Sequence, residues 1–246
     1  MKSIWFFLVL LFSFSTFAQE VENSKIVIGI NSDYSLPLVG IRRFENNPTL
    51  DSGILKDLGE AIADELKIQP SWVLLPKKRV APTLLAGHIS FICHLNEAWQ
   101  EKIKDDVLWS HDLYRSVNVI VHLKKKTIHS LSELNGERIG VVLNFVYKGL
   151  DNLFQKNTLL REDGPNNDSN IQKLLSGRIN YIVMSNLEYN YYKKKHAALD
   201  FTDFGMDSVM TKCALSPKSN LKLNELNHAI DTIKRNGTLD KILKSY

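Results

Sequence analysis

The sequence predicts an α/β protein built as two lobes. Two observations predict it: one helix-glycine-strand unit occurs twice, and strand, helix and strand alternate around each copy. The unit is Thr83-Leu-Leu-Ala-Gly87-His-Ile89-Ser-Phe-Ile92, and it returns as Lys173-Leu-Leu-Ser-Gly177-Arg-Ile179-Asn-Tyr-Ile182. In each copy a glycine can take the left-handed conformation that ends a helix, after which β-branched residues extend the chain. Alternation of strands and helices predicts parallel sheets flanked by helices, and its duplication predicts two α/β lobes rather than one continuous sheet.

Taken in chain order, the first strand is Lys25-Ile-Val-Ile-Gly29-Ile-Asn31, an apolar run bounded by turn residues. From Gly53 to Lys67, Ile54, Leu58, Ile62 and Leu66 recur every fourth residue and mark one apolar stripe of a helix. Asp51 and Ser52 are available to cap that helix, and Pro70 stands beyond its end. A strand is expected over 117–123, and Arg138-Ile-Gly140-Val-Val-Leu-Asn144 opens the second half as the counterpart of the first strand. Met210 to Leu215 is a further strand candidate. An amphipathic helix over 223–234 follows, through Leu226, Ile230 and Ile233, and Gly237 ends it before a short helix carrying Leu239, Ile242 and Leu243.

Lys2 precedes an apolar run from Ile4 to Phe14 that is too short to span a bilayer as a stable helix. Thr16 and Ala18 supply small residues three places and one place before a cut, so 1–18 is expected to be a signal peptide cleaved after Ala18. Position 19 is glutamine and not cysteine, so the expected product is a soluble periplasmic protein without a lipid anchor. The formal net charge is only +4, and it falls by one if Lys2 leaves with the leader. That balance, with compact lysine runs at 124–126 and 193–195 lacking interleaved aromatic residues, argues against nucleic acid as a partner. Cys93 and Cys213 form no CxxC motif, which leaves one bridge or two buried thiols. No metal-ligand or cofactor motif is present in the sequence, and neither group is expected.

Several segments then occur in a telling order. They are the opening strand and proline-containing loop from Lys25 to Pro37, Gly53-Ile-Leu-Lys-Asp57-Leu at a helix start, and Leu84-Leu-Ala-Gly-His-Ile-Ser-Phe-Ile. Trp109-Ser110, Leu131-Ser-Glu-Leu-Asn-Gly136-Glu-Arg-Ile-Gly140-Val141 and Arg235-Asn-Gly237-Thr-Leu-Asp-Lys-Ile242 follow. In order and spacing the chain resembles the family 3 extracellular solute-binding proteins, a group that includes periplasmic receptors for polar amino acids. The resemblance implies the type II periplasmic-binding fold, two Rossmann-like lobes joined by a two-strand hinge. It assigns 19–122 and 212–246 to lobe 1 and an inserted 123–211 to lobe 2, with a small-molecule ligand in the cleft and closure by hinge motion. It also implies that the strands carrying Cys93 and Cys213 are antiparallel neighbours, which favours a disulfide between them.

The same resemblance directs attention to ligand-holding positions. Amino-acid receptors of the family usually hold the ligand carboxylate with an arginine a few residues after the strand that here ends at Cys93-His94. This chain has Asn96, Trp99 and Lys102 there instead. The aspartate that usually meets the ammonium group aligns with Ser185, followed by Asn186. Loss of both charges argues against an ordinary amino acid, because a zwitterion in a dry cleft needs an opposite charge at each end. Arg79 is the substitute cation by its place at a helix entrance, and its planar fork suits a carboxylate. His94 follows a cleft-facing strand end, Trp99 offers a stacking face, and Tyr34 takes the place of an aromatic lid. In lobe 2, Asn144 runs into Phe145-Val-Tyr147 where relatives carry a Gly-Thr pair at a helix start that binds anions. Glu188 is either a polar contact or a surface residue.

The sequence carries no HExxH, GxSxG or phosphate-binding glycine loop, so no catalytic residue and no enzymatic activity is expected. A dehydratase-like activity using Glu188 or Glu97 is the enzymatic alternative on this fold. Delivery of the ligand to an ABC-type permease is the expected role. The other alternative is a ligand-sensing module read by a membrane kinase or cyclase, with Tyr189-Asn-Tyr-Tyr192 as a docking surface. A monomer is expected.

Overall fold

A computed structural model describes residues 25–44, 47–126, 128–204, 206 and 208–246. The leader expected over 1–18 lies outside the described residues. The first sheet is ordered β4-β1-β5-β13-β6. Its strands are β1 (Lys25–Asn31), β4 (Gln69–Leu75), β5 (Phe91–Leu95), β6 (Leu108–Trp109) and β13 (Lys212–Leu215). β4 and β5 run parallel to β1, and β13 runs antiparallel to β5 and β6. A hairpin of β2 (Gly40–Phe44) and β3 (Asn47–Ser52) stands beside it. The second sheet is ordered β11-β7-β10-β8-β9, with β12 also pairing β7. It comprises β7 (Arg115–Leu123), β8 (Arg138–Val142), β9 (Leu160–Gly164), β10 (Tyr181–Ser185), β11 (Leu199–Thr202) and β12 (Ser208–Met210). β8, β9 and β10 are parallel, and β7 runs against its neighbours.

Both sheets are covered on both faces, and the period-2 alternation of apolar side chains explains why. Ile26, Ile28 and Ile30 of β1 point into a core shared with α1 (Ile54–Leu66), α6 (Leu223–Arg235) and α7 (Thr238–Lys244). On the other face, Ile92 and Ala214 pack against Val80 and Leu84 of α2 (Lys77–Ala86). In the second sheet, Ile120, Val141 and Val183 face one core together with Leu150 of α3 (Lys148–Gln155). Val121, Ile182 and Met184 face the other, with α4 (Asn167–Leu175) and α5 (Asn186–Lys195).

The glycines of the repeated unit behave as the sequence predicts, with φ of 81° at Gly87 and 71° at Gly177. The start of α1 differs. Neither Asp51 nor Ser52 caps it, because Gly53 occupies the N-cap position with φ 119° and no side-chain cap bond. Its N–H instead donates to Tyr246 Oη at 2.9 Å, while that hydroxyl donates to Asp57 Oδ2 at 2.9 Å. Asp51 is engaged elsewhere, in an ion pair with Arg42 at 2.6 Å.

The strand expected over Met210 to Leu215 is two strands interrupted at Thr211, because the chain changes sheets there: β12 pairs β7 and β13 pairs β5. On the outward passage sheet membership changes between Trp109 and Arg115. The two passages bind each other. Leu113 N–H donates to Thr211 O at 2.7 Å, and Thr211 N–H donates to Tyr114 O at 2.9 Å. The hydroxyl of the fully buried Thr211 reaches the same Tyr114 carbonyl at 2.9 Å. This antiparallel pair is the hinge between the lobes. Next to it, Cys93 of β5 and Cys213 of β13 form a disulfide across 120 residues of chain.

Candidate functional site

Between the lobes lies a small cavity that opens to solvent. Lobe 1 contributes Tyr34, Lys77, His94 and Trp99 to its lining, and β7 adds Ser116 and Asn118. From lobe 2 come Phe145, Val146, Tyr147, Asn167, Met184, Ser185 and Glu188.

The lobe 1 wall is aromatic. Tyr34 meets the His94 ring edge-on, at 5.1 Å between centroids, and His94 lies 5.9 Å from Trp99. His94, next to the last residue of β5, has φ 60° and is only 3% exposed. Its Nδ1 is 2.8 Å from the hydroxyl of Tyr114, whose carbonyl belongs to the hinge. Burial, aided by the Lys77 charge, pushes the His94 pKa down to about 3, so the ring is neutral at physiological pH. Lys77 opens α2, where its N–H donates to Asp33 Oδ2 at 2.9 Å. Burial lowers its ammonium pKa to about 8, against the opposing pull of Asp33.

The lobe 2 wall carries a buried carboxylate. Glu188, 4% exposed, forms a capping box with Ser185 at the start of α5. Its Oε2 accepts from Ser185 N–H at 3.1 Å and Ser185 Oγ at 2.8 Å, and its Oε1 accepts from Asn167 Nδ2 at 2.8 Å. Burial raises its pKa above the usual carboxylate value, and the Asn167 and Ser185 donors oppose that shift. Phe145 sits in the loop after β8, and the guanidinium of Arg161 holds that loop by donating to the carbonyls of Val142 (3.0 Å) and Phe145 (3.1 Å).

Several contacts cross the cleft. The Phe145 ring lies edge-on to Tyr34 at 5.2 Å, and the Lys77 ammonium is 5.7 Å from the centre of the same ring. Asp168 N–H donates to Ser35 Oγ at 3.2 Å, and Lys148 pairs with Glu101 at 2.5 Å.

Of the residues singled out by sequence, Tyr34, His94, Trp99, Phe145 and Ser185 meet at this cavity. Arg79, Asn96, Asn144 and Asn186 are not among its lining residues. Arg79 is exposed on α2. Asn96 caps the short 3-10 turn Glu97–Trp99 and donates to Met210 O at 2.9 Å. Asn144 is exposed with φ 66°, and it follows β8 instead of ending it. Asn186 Oδ1 accepts from Val117 N–H at 3.2 Å. α3 begins at Lys148, beyond Phe145, and the carboxylate of Asp151 already lies 3.4 Å from Tyr147 N there. Glu97, the other acid considered, is paired with Lys212 at 2.5 Å. Sequence reasoning missed Lys77, although Lys77, Val80 and Leu84 share one helix face by their spacing. It left Glu188 undecided, although Ser185-Asn-Leu-Glu188 is a capping-box signature.

The model of the bacterial extracellular solute-binding proteins, family 3, matches residues 28–246. The chain belongs to this family. Solved structures agree with the fold. An amino acid ABC transporter substrate-binding protein, AbpA from Streptococcus pneumoniae, bound to L-arginine, is 17% identical with a TM-score of 0.74, covering 90% of this chain and 94% of its own. An ancestral arginine-binding protein bound to arginine is 22% identical, with a TM-score of 0.72 and coverage of 91% and 98%. An ancestral amino acid-binding protein, AncCDT-1, a precursor of cyclohexadienyl dehydratase, is 21% identical, with a TM-score of 0.73 and coverage of 91% and 95%. No curated protein sequence matches the chain. The family is one of solute-binding proteins, and no helix among the described residues is long and apolar enough to cross a membrane.

Proposed function

We propose that this protein is a periplasmic receptor that captures a small polar or anionic solute in the interlobe cleft and delivers it, unchanged, to an ABC-type permease. The observation that carries this reading is one cavity with a cation, Lys77, on the lobe 1 wall and a buried carboxylate, Glu188, on the lobe 2 wall. A solute that touches both walls gains contacts in the closed form that the open form cannot offer, and that difference drives closure about the hinge. A permease as partner is supported by the likeness to a substrate-binding protein of an amino acid ABC transporter. The leader expected over 1–18 supports a periplasmic location, and the receptor acts as a monomer.

A dehydratase-like reading draws on one observation, the raised pKa of Glu188 in a cleft, since an acid with a shifted pKa suits proton transfer. A thermal-shift screen over amino acids, organic acids, sugars and short peptides, with product analysis of each hit, separates the two. A receptor is stabilised without turnover, by about 2.7 kcal/mol at one hundred times the Kd. For a chain of this size that is a rise in Tm of roughly 5–10 °C. Turnover of the stabilising compound, or no stabilisation by any of them, would overturn the receptor reading.

A further inference from the structure

We propose that the end of lobe 2 remote from the hinge is a membrane-docking surface, a basic pole that meets the anionic headgroups of a lipid bilayer. The inference goes beyond the receptor reading and rests on a different part of the molecule. The lysine runs 124–126 and 193–195 are far apart in sequence, and the fold brings them together. β7 leaves the hinge at Arg115 and ends at Leu123, so the 3-10 turn Lys124–Lys126 stands at its far end. α5 starts at the cleft with Ser185 as its cap and ends at Lys195, and the chain returns through His196 into β11. Leu199 of β11 lies opposite Leu123 of β7, and Lys124 N–H donates to Ala198 O at 2.9 Å. The Lys193 ammonium closes the corner by donating to the carbonyls of Ala197 and Leu199. Arg178 is exposed just before β10, whose Tyr181 lies opposite His122, so it joins the same end of the sheet.

The protein does not neutralise this charge itself. Lys125, Lys126 and Lys195 are exposed, and none has a carboxylate of the described residues within 4 Å. Lys195 is held by neutral groups instead, its ammonium 2.5 Å from Tyr191 Oη and 4.1 Å from the centre of that ring. Lys194 donates to Tyr246 O at 2.7 Å and is not counted on. Asp200, Glu133 and Glu137 also stand at this end, each accepting from a neutral donor, at Phe201 N–H, Ser130 Oγ and Asn180 Nδ2 respectively. The whole chain sets 31 Lys and Arg against 27 Asp and Glu. Without the six lysines of the two runs the balance turns to −2, so the molecule is lopsided, positive at this end. Charges spread over exposed, flexible side chains of two elements suit a diffuse negative surface better than one bound anion. Two rings add interfacial character: Tyr191 under Lys195, and Phe201 on the edge strand β11, 42% exposed. The hinge and the cleft lie at the other ends of β7 and α5, so a bilayer held here does not cover the cleft residues. Such a contact would confine a receptor to the surface in which its permease sits.

Co-sedimentation of the whole protein with vesicles tests the proposal, comparing pure phosphatidylcholine with an equimolar mixture of phosphatidylcholine and phosphatidylglycerol. At about 0.1 M ionic strength, where the Debye length is about 10 Å, the protein is expected to partition onto the mixed vesicles and not the neutral ones. It should be released as ionic strength approaches about 1 M. A lysine near an anionic bilayer contributes about fivefold to partitioning, so Lys125→Gln combined with Lys126→Gln should weaken it roughly 25-fold, and Lys195→Gln roughly fivefold. Lys25→Gln combined with Lys218→Gln takes the same charge from exposed positions on lobe 1, and should change partitioning by less than about twofold. Circular dichroism checks that each variant is folded. Equal partitioning onto both kinds of vesicle, partitioning onto neither, or equal losses in the two double variants would overturn the proposal. Retention by polyglutamate without partitioning onto vesicles would also overturn it, because the partner would then be an acidic protein. None of these outcomes touches the receptor reading, which stands or falls on the thermal-shift screen.

Discussion

Replacing Phe145 with alanine removes the ring that faces lobe 1 across the cleft. Its edge-to-face pairing with Tyr34 at 5.2 Å and 79° is worth about 0.5–1.5 kcal/mol. The Lys77 ammonium, 5.7 Å from the ring centre and partly shielded from water, adds about 0.5–1 kcal/mol. Both contacts join the lobes, so both vanish when the hinge opens and neither holds a lobe together. The closed form should therefore lose about 1–2.5 kcal/mol relative to the open one, which weakens the apparent affinity by roughly 5- to 70-fold. Titration calorimetry of Phe145→Ala with the best ligand from the screen measures this, with Phe145→Leu as a variant that keeps bulk without a ring and should fall between. Circular dichroism on the unliganded variants checks that both remain folded. An affinity within about twofold of the parent protein in a folded Phe145→Ala would refute the idea that this ring favours closure.

Three further outcomes follow from the geometry. The folded-state pKa of His94, about 3, lies below its unfolded value of about 6.5, so the unfolded chain binds more protons between these limits and stability falls on acidification through that window. Glu188, shifted upward, acts with the opposite sign. The difference between the parent and His94→Asn isolates the histidine, because asparagine tolerates φ 60°. That difference should approach about 1.4 kcal/mol per pH unit in chemical denaturation, and an identical pH profile for both proteins would contradict the assignment. Breaking the Cys93–Cys213 bond, which closes 120 residues, should cost about 2–5 kcal/mol in guanidinium unfolding with and without reductant. Coincident curves would show that the bridge adds nothing. Gly53→Ala places a Cβ 2.5 Å from the Leu38 carbonyl oxygen at φ 119°, and should destabilise by about 1–3 kcal/mol in the same assay. A loss below about 0.5 kcal/mol would mean that the backbone relaxes freely there.

What the sequence revealed and what it concealed divide along physical lines. Repeated patterns of helix, glycine and strand are local, and they located α2 with β5 and α4 with β10 because each copy must bury one face against a sheet. Elements that depend on distant partners were less legible. β8 stops at Val142 because the chain turns through Asn144 at φ 66°, and the break at Thr211 exists because β12 and β13 join different sheets. The cation in the cleft was misplaced by two residues. At about 100° per residue that is more than half a turn, enough to send Arg79 to solvent while Lys77 stays in register with Val80 and Leu84. Glu188 remained undecided because charge alone does not tell a solvated helix residue from a buried cap. Its partner Asn167 arrives from another element. The loss of both familiar anchors argued against an amino acid as ligand. The cleft contains a cation and a carboxylate all the same, supplied from other positions.

Small-angle X-ray scattering of the protein with and without its saturating ligand addresses the central claim most directly. If the lobes shut about the paired strands at Tyr114 and Thr211, the radius of gyration must contract on binding, and less so in Phe145→Ala at equal saturation. Scattering curves that superimpose with and without a ligand bound in the cleft would contradict it.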